Sequence, residues 1–270
     1  MKKTAMYDRT NVQKALKDIS DGYSKMELSV FLGWRDVKKH YTRSLLGPLW
    51  LTLSMGFMVL GLGILYSEIF KIDVADYLPR LAIGLILWGF INGLVTGSCS
   101  VFTAAGASIR QVKLPLSLYV FQFVWSQVLT LAHNFLIYII VAIVFMINPG
   151  VTALLFVPAM AIIILNGVFL ALILGPLCAR FRDVPMIIGS VMQIVFFMTP
   201  IIWSTESMPE RAWFLLANPF YHFIEIVRDP LMGSTGTALN WLICIAITVV
   251  MGITALLFFS RYRARVVYWS

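Results

Sequence analysis

The chain is 270 residues long, 60% hydrophobic, with a mean hydropathy of +0.85 and a formal net charge of +8. Soluble globular domains sit nearer roughly 45–50% apolar, so the composition excludes that class. On a membrane protein the basic balance suits anionic headgroups or a partner at one face, and nucleic acid is not expected.

Five stretches contain no Asp, Glu, Lys or Arg: Leu45–Ser67, Leu81–Ile109, Leu114–Ala179, Val184–Thr205 and Pro230–Ser260. A span takes about 20 apolar residues, and the backbone in lipid must satisfy its own hydrogen bonds, so these runs read as helices. The third holds two spans turned at Asn148-Pro149-Gly150. The expected fold is an all-α membrane protein: six transmembrane helices at about 45–67, 81–103, 117–147, 151–178, 184–203 and 237–259. Residues 1–44 precede them and 261–270 form a tail, both on the cytoplasmic side. Only His133 interrupts the charge-free interior. Ion-driven transport and most intramembrane hydrolysis depend on buried charge, so any movement draws its energy from elsewhere.

Residues 1–10 read as disordered. From Val12 apolar residues recur at Leu16, Ile19, Tyr23, Met26, Val30 and Trp34, a helical stripe with Lys14, Lys17, Lys25, Lys38 and Lys39 largely off it. Such a helix beside a span lies in the membrane interface, or docks on a cytosolic partner. Gly22 is expected to break it. The first apolar run begins near Leu45, behind this basic segment, too far in for a cleavable signal peptide. Gly47-Pro48 opens the first span. Gly89, Gly93 and Gly97, and then Gly167, Ala171 and Gly175, place small residues on one helix face, as packing seams or as a pore lining. Cys99, Cys178 and Cys244 lie in apolar runs without metal-ligand spacing and read as packing residues. No metal site is expected.

After the fifth span Ser207-Met208-Pro209-Glu210 matches a capping box, and Asn218-Pro219 restarts a helix carrying Glu225 and Arg228 three apart. Two helices of about ten residues cannot cross about 30 Å of hydrocarbon, so this region reads as a short external re-entrant hairpin, or as an interfacial loop with a surface ion pair. Lys and Arg count 17 on the side holding both termini, the 104–116 loop and the 179–185 loop, against 4 on the other. That bias puts both termini in the cytoplasm.

The chain has no Gly-x4-Gly-Lys-Ser/Thr phosphate loop, no Gly-x-Ser-x-Gly elbow and no His-Glu-x-x-His helix, so an enzymatic role has little support. Aromatic residues crowd the spans, and Phe57, Trp88, Phe196, Phe197 and Trp203 are candidates for a conduit on which sugar rings slide.

Four segments resemble the ABC type-2 export permeases: Arg35-Asp36-Val37-Lys38-Lys39-His40-Tyr41-Thr42-Arg43-Ser44-Leu45-Leu46-Gly47-Pro48-Leu49-Trp50, Phe181-Arg182-Asp183-Val184-Pro185, Phe196-Phe197-Met198-Thr199-Pro200-Ile201-Ile202-Trp203, and Asn218-Pro219 with His222, Glu225 and Arg228. The closest resemblance is to the O-antigen and capsule polysaccharide permeases. It implies a homodimer in the inner membrane, partnered with a pair of cytosolic ATPase subunits that bind ATP and Mg2+, this chain holding no cofactor. The cargo it implies is a lipid-linked polysaccharide. A capsule or teichoic acid polymer, a small amphiphile or drug, and a non-transporting scaffold of glycan assembly are the alternatives. The resemblance implies that the 104–116 loop couples to the ATPase through Gly106, Ser108, Ile109, Arg110, Gln111, Val112, Lys113, Leu114 and Pro115. Arg35, Lys38, Lys39 and Arg43 are the expected contacts of the lipid-linked head. Pro209, Trp213, Asn218, Pro219, His222, Glu225 and Arg228 form the expected external gate.

Overall fold

A computed structural model describes residues 9–40, 46–47, 49–203 and 213–269, and all regular structure among them is helical. Residues 1–8, Arg43 and the Ser207–Glu210 capping box with Pro209 lie outside the described residues. The N-terminal pair is α1 (Arg9–Ser24) and α2 (Met26–His40). It is followed by α3 (Leu49–Phe70), α4 (Val74–Ser98), the short α5 (Val101–Ala104) and α6 (Gly106–Gln111), and α7 (Leu116–Val144). A 3-10 turn (Gly150–Leu155) leads into α8 (Phe156–Arg180), then α9 (Val184–Met198), α10 (Trp213–Leu216), α11 (Pro219–Leu231) and α12 (Ala238–Trp269).

Five helical segments among the described residues are long and apolar enough to cross a membrane: α3, α4, α7, the 3-10 turn continued by α8, and α12. The apolar α9 has 15 residues and stops at Met198, where Thr199 turns extended ahead of Pro200, so the helix ends short of the expected Trp203. The helix after Asp73 starts before the charge-free run does: Asp73 caps it by accepting from the Ala75 amide at 2.8 Å, and α4 carries Pro79 and Arg80 in its early turns. The last helix continues without a break through Arg261, Arg263 and Arg265 to Trp269.

The core gathers around α4. Of its most apolar 18-residue window 72% is buried, against 11% for α3 and 17% for α12. Helices α3, α7, α8, α9 and α11 all pack on it. The small-residue seams sit at close crossings: a Cβ at Gly167 would meet Leu94 at 2.7 Å, one at Gly175 would meet Phe102 at 2.8 Å, and one at Gly97 would meet Phe123 at 2.5 Å. Gly89 is an exception, exposed and near only Met55.

The N-terminal pair corrects two expectations. Residues 9 and 10 already belong to α1, and the break falls at Lys25, while Gly22 stays helical, its backbone packed on Ser117 of α7. The face docked on the bundle consists of Ala15, Asp18, Gly22, Ser29, Gly33 and Val37, all buried. The large apolar side chains of the stripe point outward instead, with Leu16, Tyr23 and Trp34 at least half exposed and Phe31 beside them. Backbones approach closely only where side chains are small, while lipid accepts the large ones.

Candidate functional site

All four basic segments meet at one pole. The Asp18 carboxylate accepts the Leu116 and Ser117 amides at 3.3 and 3.0 Å and pairs with Arg263 Nη1 at 2.7 Å. The Ser117 hydroxyl donates to the Asp18 carbonyl at 2.6 Å. Those amides belong to the unsatisfied first turn of α7, which carries a partial positive charge, so a carboxylate supplied by α1 both caps and charge-matches it. At the same pole the Arg180 guanidinium sits 5.7 Å from the Trp269 ring, joining the end of α8 to the end of α12.

The 104–116 loop is the rim of this pole. Gly106 and Ile109 are buried and anchor α6, whereas Ser108, Arg110, Gln111, Val112 and Lys113 are exposed, and Leu114 and Pro115 are half-buried ahead of α7. A groove of about 720 Å3 runs between α1, this loop and the end of α12, walled by Lys14, Lys17, Lys25, Arg110, Lys113 and Arg263, with Asp18 and Asp21 among them. Arg35 and Lys39 of α2 line a second cavity, of about 900 Å3, on the other side of the loop. Lys38 is exposed on the same helix.

At the far pole α11 is sunk into the bundle. Asn218 Oδ1 accepts from the Phe220 amide at 3.0 Å, with Pro219 in the first turn where its missing N–H has no partner to lose. The Asn218 amide donates to Thr199 Oγ1 at 2.9 Å, tying the start of α11 to the end of α9. His222 is fully buried between the Leu216 carbonyl at 3.0 Å and Asn240 Oδ1 at 2.8 Å, so it is an internal strut joining α10, α11 and α12.

The Glu225–Arg228 pair is buried as well, with side chains 5% and 2% exposed, which replaces the surface ion pair the spacing allowed. Arg228 Nη1 donates to Glu225 Oε1 at 2.8 Å and Nη2 donates to the Pro200 carbonyl at 3.0 Å. Its guanidinium lies against α4 where residue 84 is glycine: a Cβ there would sit 2.6 Å from Nη2. Arg228 thereby joins α11, the chain leaving α9, and the central helix. Burial and the neighbouring Glu225 push the Asp229 carboxyl up to about 7, against the opposing pull of Arg228 and Arg80. Tyr77 and Tyr138 extend the network by donating to the Ile202 and Leu231 carbonyls at 2.6 and 2.7 Å.

The aromatic candidates divide. Phe57 on α3 and Phe197 on α9 are about two-thirds exposed. Trp88 is packed inside the chain between Phe196 and Phe220, with ring centroids 5.5 and 5.8 Å away, so its faces are not offered outward. Trp203 is half-buried and donates to the Phe197 carbonyl at 3.1 Å. Trp213 opens α10. His133 bonds the Leu129 carbonyl of its own helix, and the three cysteines are buried and free.

Sequence reasoning missed Asp18, Arg263, Gly84, Thr199 and Asn240. The one available signal was Asp18 itself, an acid in register with Ala15 and Gly22 on the helix that also carries Lys14 and Lys17.

A bundle of long apolar helices with a basic pole describes a multi-pass membrane protein. The model of the ABC-2 type transporter family matches residues 28–232, and the chain belongs to that family as a transmembrane permease component. It is 26% identical over 215 residues to an O-antigen export system permease protein RfbA of Klebsiella pneumoniae, covering 77% of this chain and 82% of that protein. A second such Klebsiella pneumoniae permease matches at 23% over 77% of this chain and 81% of its own length. The permease of the same name from Myxococcus xanthus matches at 21% over 73% and 77%.

Proposed function

We propose that this chain is the membrane subunit of an ATP-driven exporter that moves a lipid-linked polysaccharide of the O-antigen type across the inner membrane. It works as a homodimer with two cytosolic ATPase subunits, which bind the ATP and Mg2+. Both termini and the basic pole face the cytoplasm. The observation that carries the reading is the open face of α9, where Ser190, Gln193 and Phe197 are all exposed within an otherwise apolar helix. The Ser190 hydroxyl bonds only the Met186 carbonyl of its own helix at 3.1 Å, and the Gln193 amide facing lipid would be costly. A second copy would turn this face, with Ser54 and Phe57 of α3, toward a shared hydrated path.

In this reading α9 is the fifth of six spans: its 15 residues rise roughly 22 Å, and the Thr199–Trp203 turn carries the chain onward. The Trp213–Leu231 segment closes the path on the far side. The 104–116 loop and the adjoining groove receive the ATPase, and Arg35, Lys38, Lys39 and Arg43 meet the anionic lipid head. The O-antigen relatives support the cargo class. A strain lacking this chain tests it: lipid-linked polysaccharide accumulates inside, surface polysaccharide is lost, and the plasmid-borne gene restores it. Unchanged surface polysaccharide without accumulation contradicts the reading and favours a small amphiphile as cargo.

A further inference from the structure

One face of the last turns of α12 is spent on the fold and another is not. Phe259 and Val266 are fully buried in one cluster with Ala15 of α1, and Arg263 on the same side is held by Asp18. Phe258, Tyr262, Arg265 and Trp269 recur at helical spacing on a different face, with the Phe258–Tyr262 and Tyr262–Trp269 ring centroids 4.6 and 6.1 Å apart. Three guanidiniums lie on this aromatic row. Arg261 and Arg265 stand 5.8 and 6.0 Å from the Tyr262 ring centroid. Arg180, at the end of α8, stands 5.7 Å from Trp269 and 5.8 Å from Phe181. All three arginines are exposed. The ion pairs found among the described residues go to Arg228 and Arg263 and to none of these three. A guanidinium stacked on a ring spends its face and keeps its N–H edge, a fixed fork of donors that matches phosphate. Charge alone is enough to orient a span, so the rings add something orientation does not need.

The row also stands at a defined depth. Ala238–Ser260 is the charge-free part of α12 and rises roughly 34 Å, enough for about 30 Å of hydrocarbon, so Arg261 emerges at the headgroup level. Asn166 of α8 bonds Thr248 of α12 at 2.7 Å, and equally far past that crossing Arg180 comes level with Tyr262. The groove of about 720 Å3 on the same pole is lined by Arg263 and by none of the three stacked arginines.

We propose that Arg180, Arg261 and Arg265 form a site for the headgroup of an anionic phospholipid in the leaflet at the basic pole. Tyr262 and Trp269 hold the guanidiniums with their donor edges toward the phosphate, and Phe258, one turn nearer the bilayer centre, meets the acyl chains. A bilayer lipid is the occupant because the forks stand at the depth where its phosphate lies, above an apolar helix face. The site ties the ends of α8 and α12 together through the lipid, and it does not depend on what the chain exports.

Native mass spectrometry of the purified full chain, titrated with phosphatidylglycerol and with phosphatidylcholine of the same acyl chains, reads the site. Wild type takes up its first phosphatidylglycerol about tenfold more tightly than its first phosphatidylcholine. Arg180→Lys with Arg261→Lys and Arg265→Lys keeps every charge, and with it the orientation of the spans, but loses the stacked forks. The preference then falls to about threefold or less, with phosphatidylcholine binding unchanged. Gln at the same three positions erases it. Lys14→Gln with Lys17→Gln, in the groove of the same pole, leaves it at the wild-type value, and excess inorganic phosphate does not displace the lipid. Equal affinity of wild type for the two lipids overturns the site. So does a preference that the Lys variant keeps in full, or one that Lys14→Gln with Lys17→Gln lowers as far, either of which makes the pole a diffuse basic surface. Displacement by inorganic phosphate overturns it in favour of a plain anion patch. A Gln variant that keeps the lipid preference but no longer co-purifies with an ATPase overturns it in favour of protein docking. Export is untouched by the lipid titrations, which contain no cargo, so either reading can fail without the other.

Discussion

Arg228 decides the arrangement of the far pole, and its surroundings set what its loss would cost. A guanidinium this deeply buried is tolerable because one carboxylate and one carbonyl answer it, even though its Nε has no partner. Removing one member of a buried pair strands the other, at a cost of roughly 3–5 kcal/mol. Arg228→Met should therefore lower thermal stability sharply. Glu225→Gln combined with Arg228→Met should cost less than the two single changes together, as a double-mutant melting series would read. At the other pole Asp18→Asn keeps an acceptor for one α7 amide but loses the charge facing Arg263, whose side chain is 29% exposed. About 1–3 kcal/mol is expected, with faster proteolysis at the end of α12 as the local sign. Asp229 has its own signature. Its folded pKa, raised to about 7, means the folded state holds a proton the unfolded state has released, so its contribution falls as pH rises from about 4 to about 7 and is flat above. Melting temperatures of Asp229→Asn should show a shallower decline across that window than wild type. The Glu225–Arg228 pairing was legible from its spacing, and the Asn218 cap from the Asn-Pro step. Their burial was not, because it depends on Gly84 and the Pro200 carbonyl arriving from distant parts of the chain.

Among the elements, the N-terminal pair shows where sequence patterning ran out. The apolar stripe from Val12 to Trp34 identified the helices but not the face that docks, since in a membrane a large apolar side chain can face lipid as readily as protein. The docked face is written in Ala15, Gly22, Ser29 and Gly33, and its closest approach to another helix's backbone is at Gly33. A Cβ there would lie 2.8 Å from the Gln122 carbonyl, which is backbone and has little room to move. Gly33→Ala should lift α2 from α7 at a cost of about 1–3 kcal/mol. Hydrogen exchange should then quicken across Met26–His40, while α4 stays protected. The long helices were legible because charge-free runs of about 20 residues have few other solutions. The early start of α4 was not, because Pro79 and Arg80 lie in turns where the missing amide bond and the charge are tolerated near a helix end.

For the molecule as a whole, the asymmetry of Lys and Arg along the sequence has a counterpart in space: α1, the 104–116 loop, the end of α8 and the end of α12 converge on one pole through Asp18 and the Arg180–Trp269 contact. The opposite end is closed by α11 and its buried Glu225–Arg228 ion pair. On the proposed reading, force from the partner ATPase enters at the basic pole. Purified chain and its ATPase, reconstituted in proteoliposomes with a short lipid-linked polysaccharide, test this most directly through the sugar exposed on the leaflet opposite the ATPase. The account predicts that ATP raises that exposure and that a non-hydrolysable analogue does not. ATP hydrolysis by a stable complex with no change in sugar exposure would contradict it.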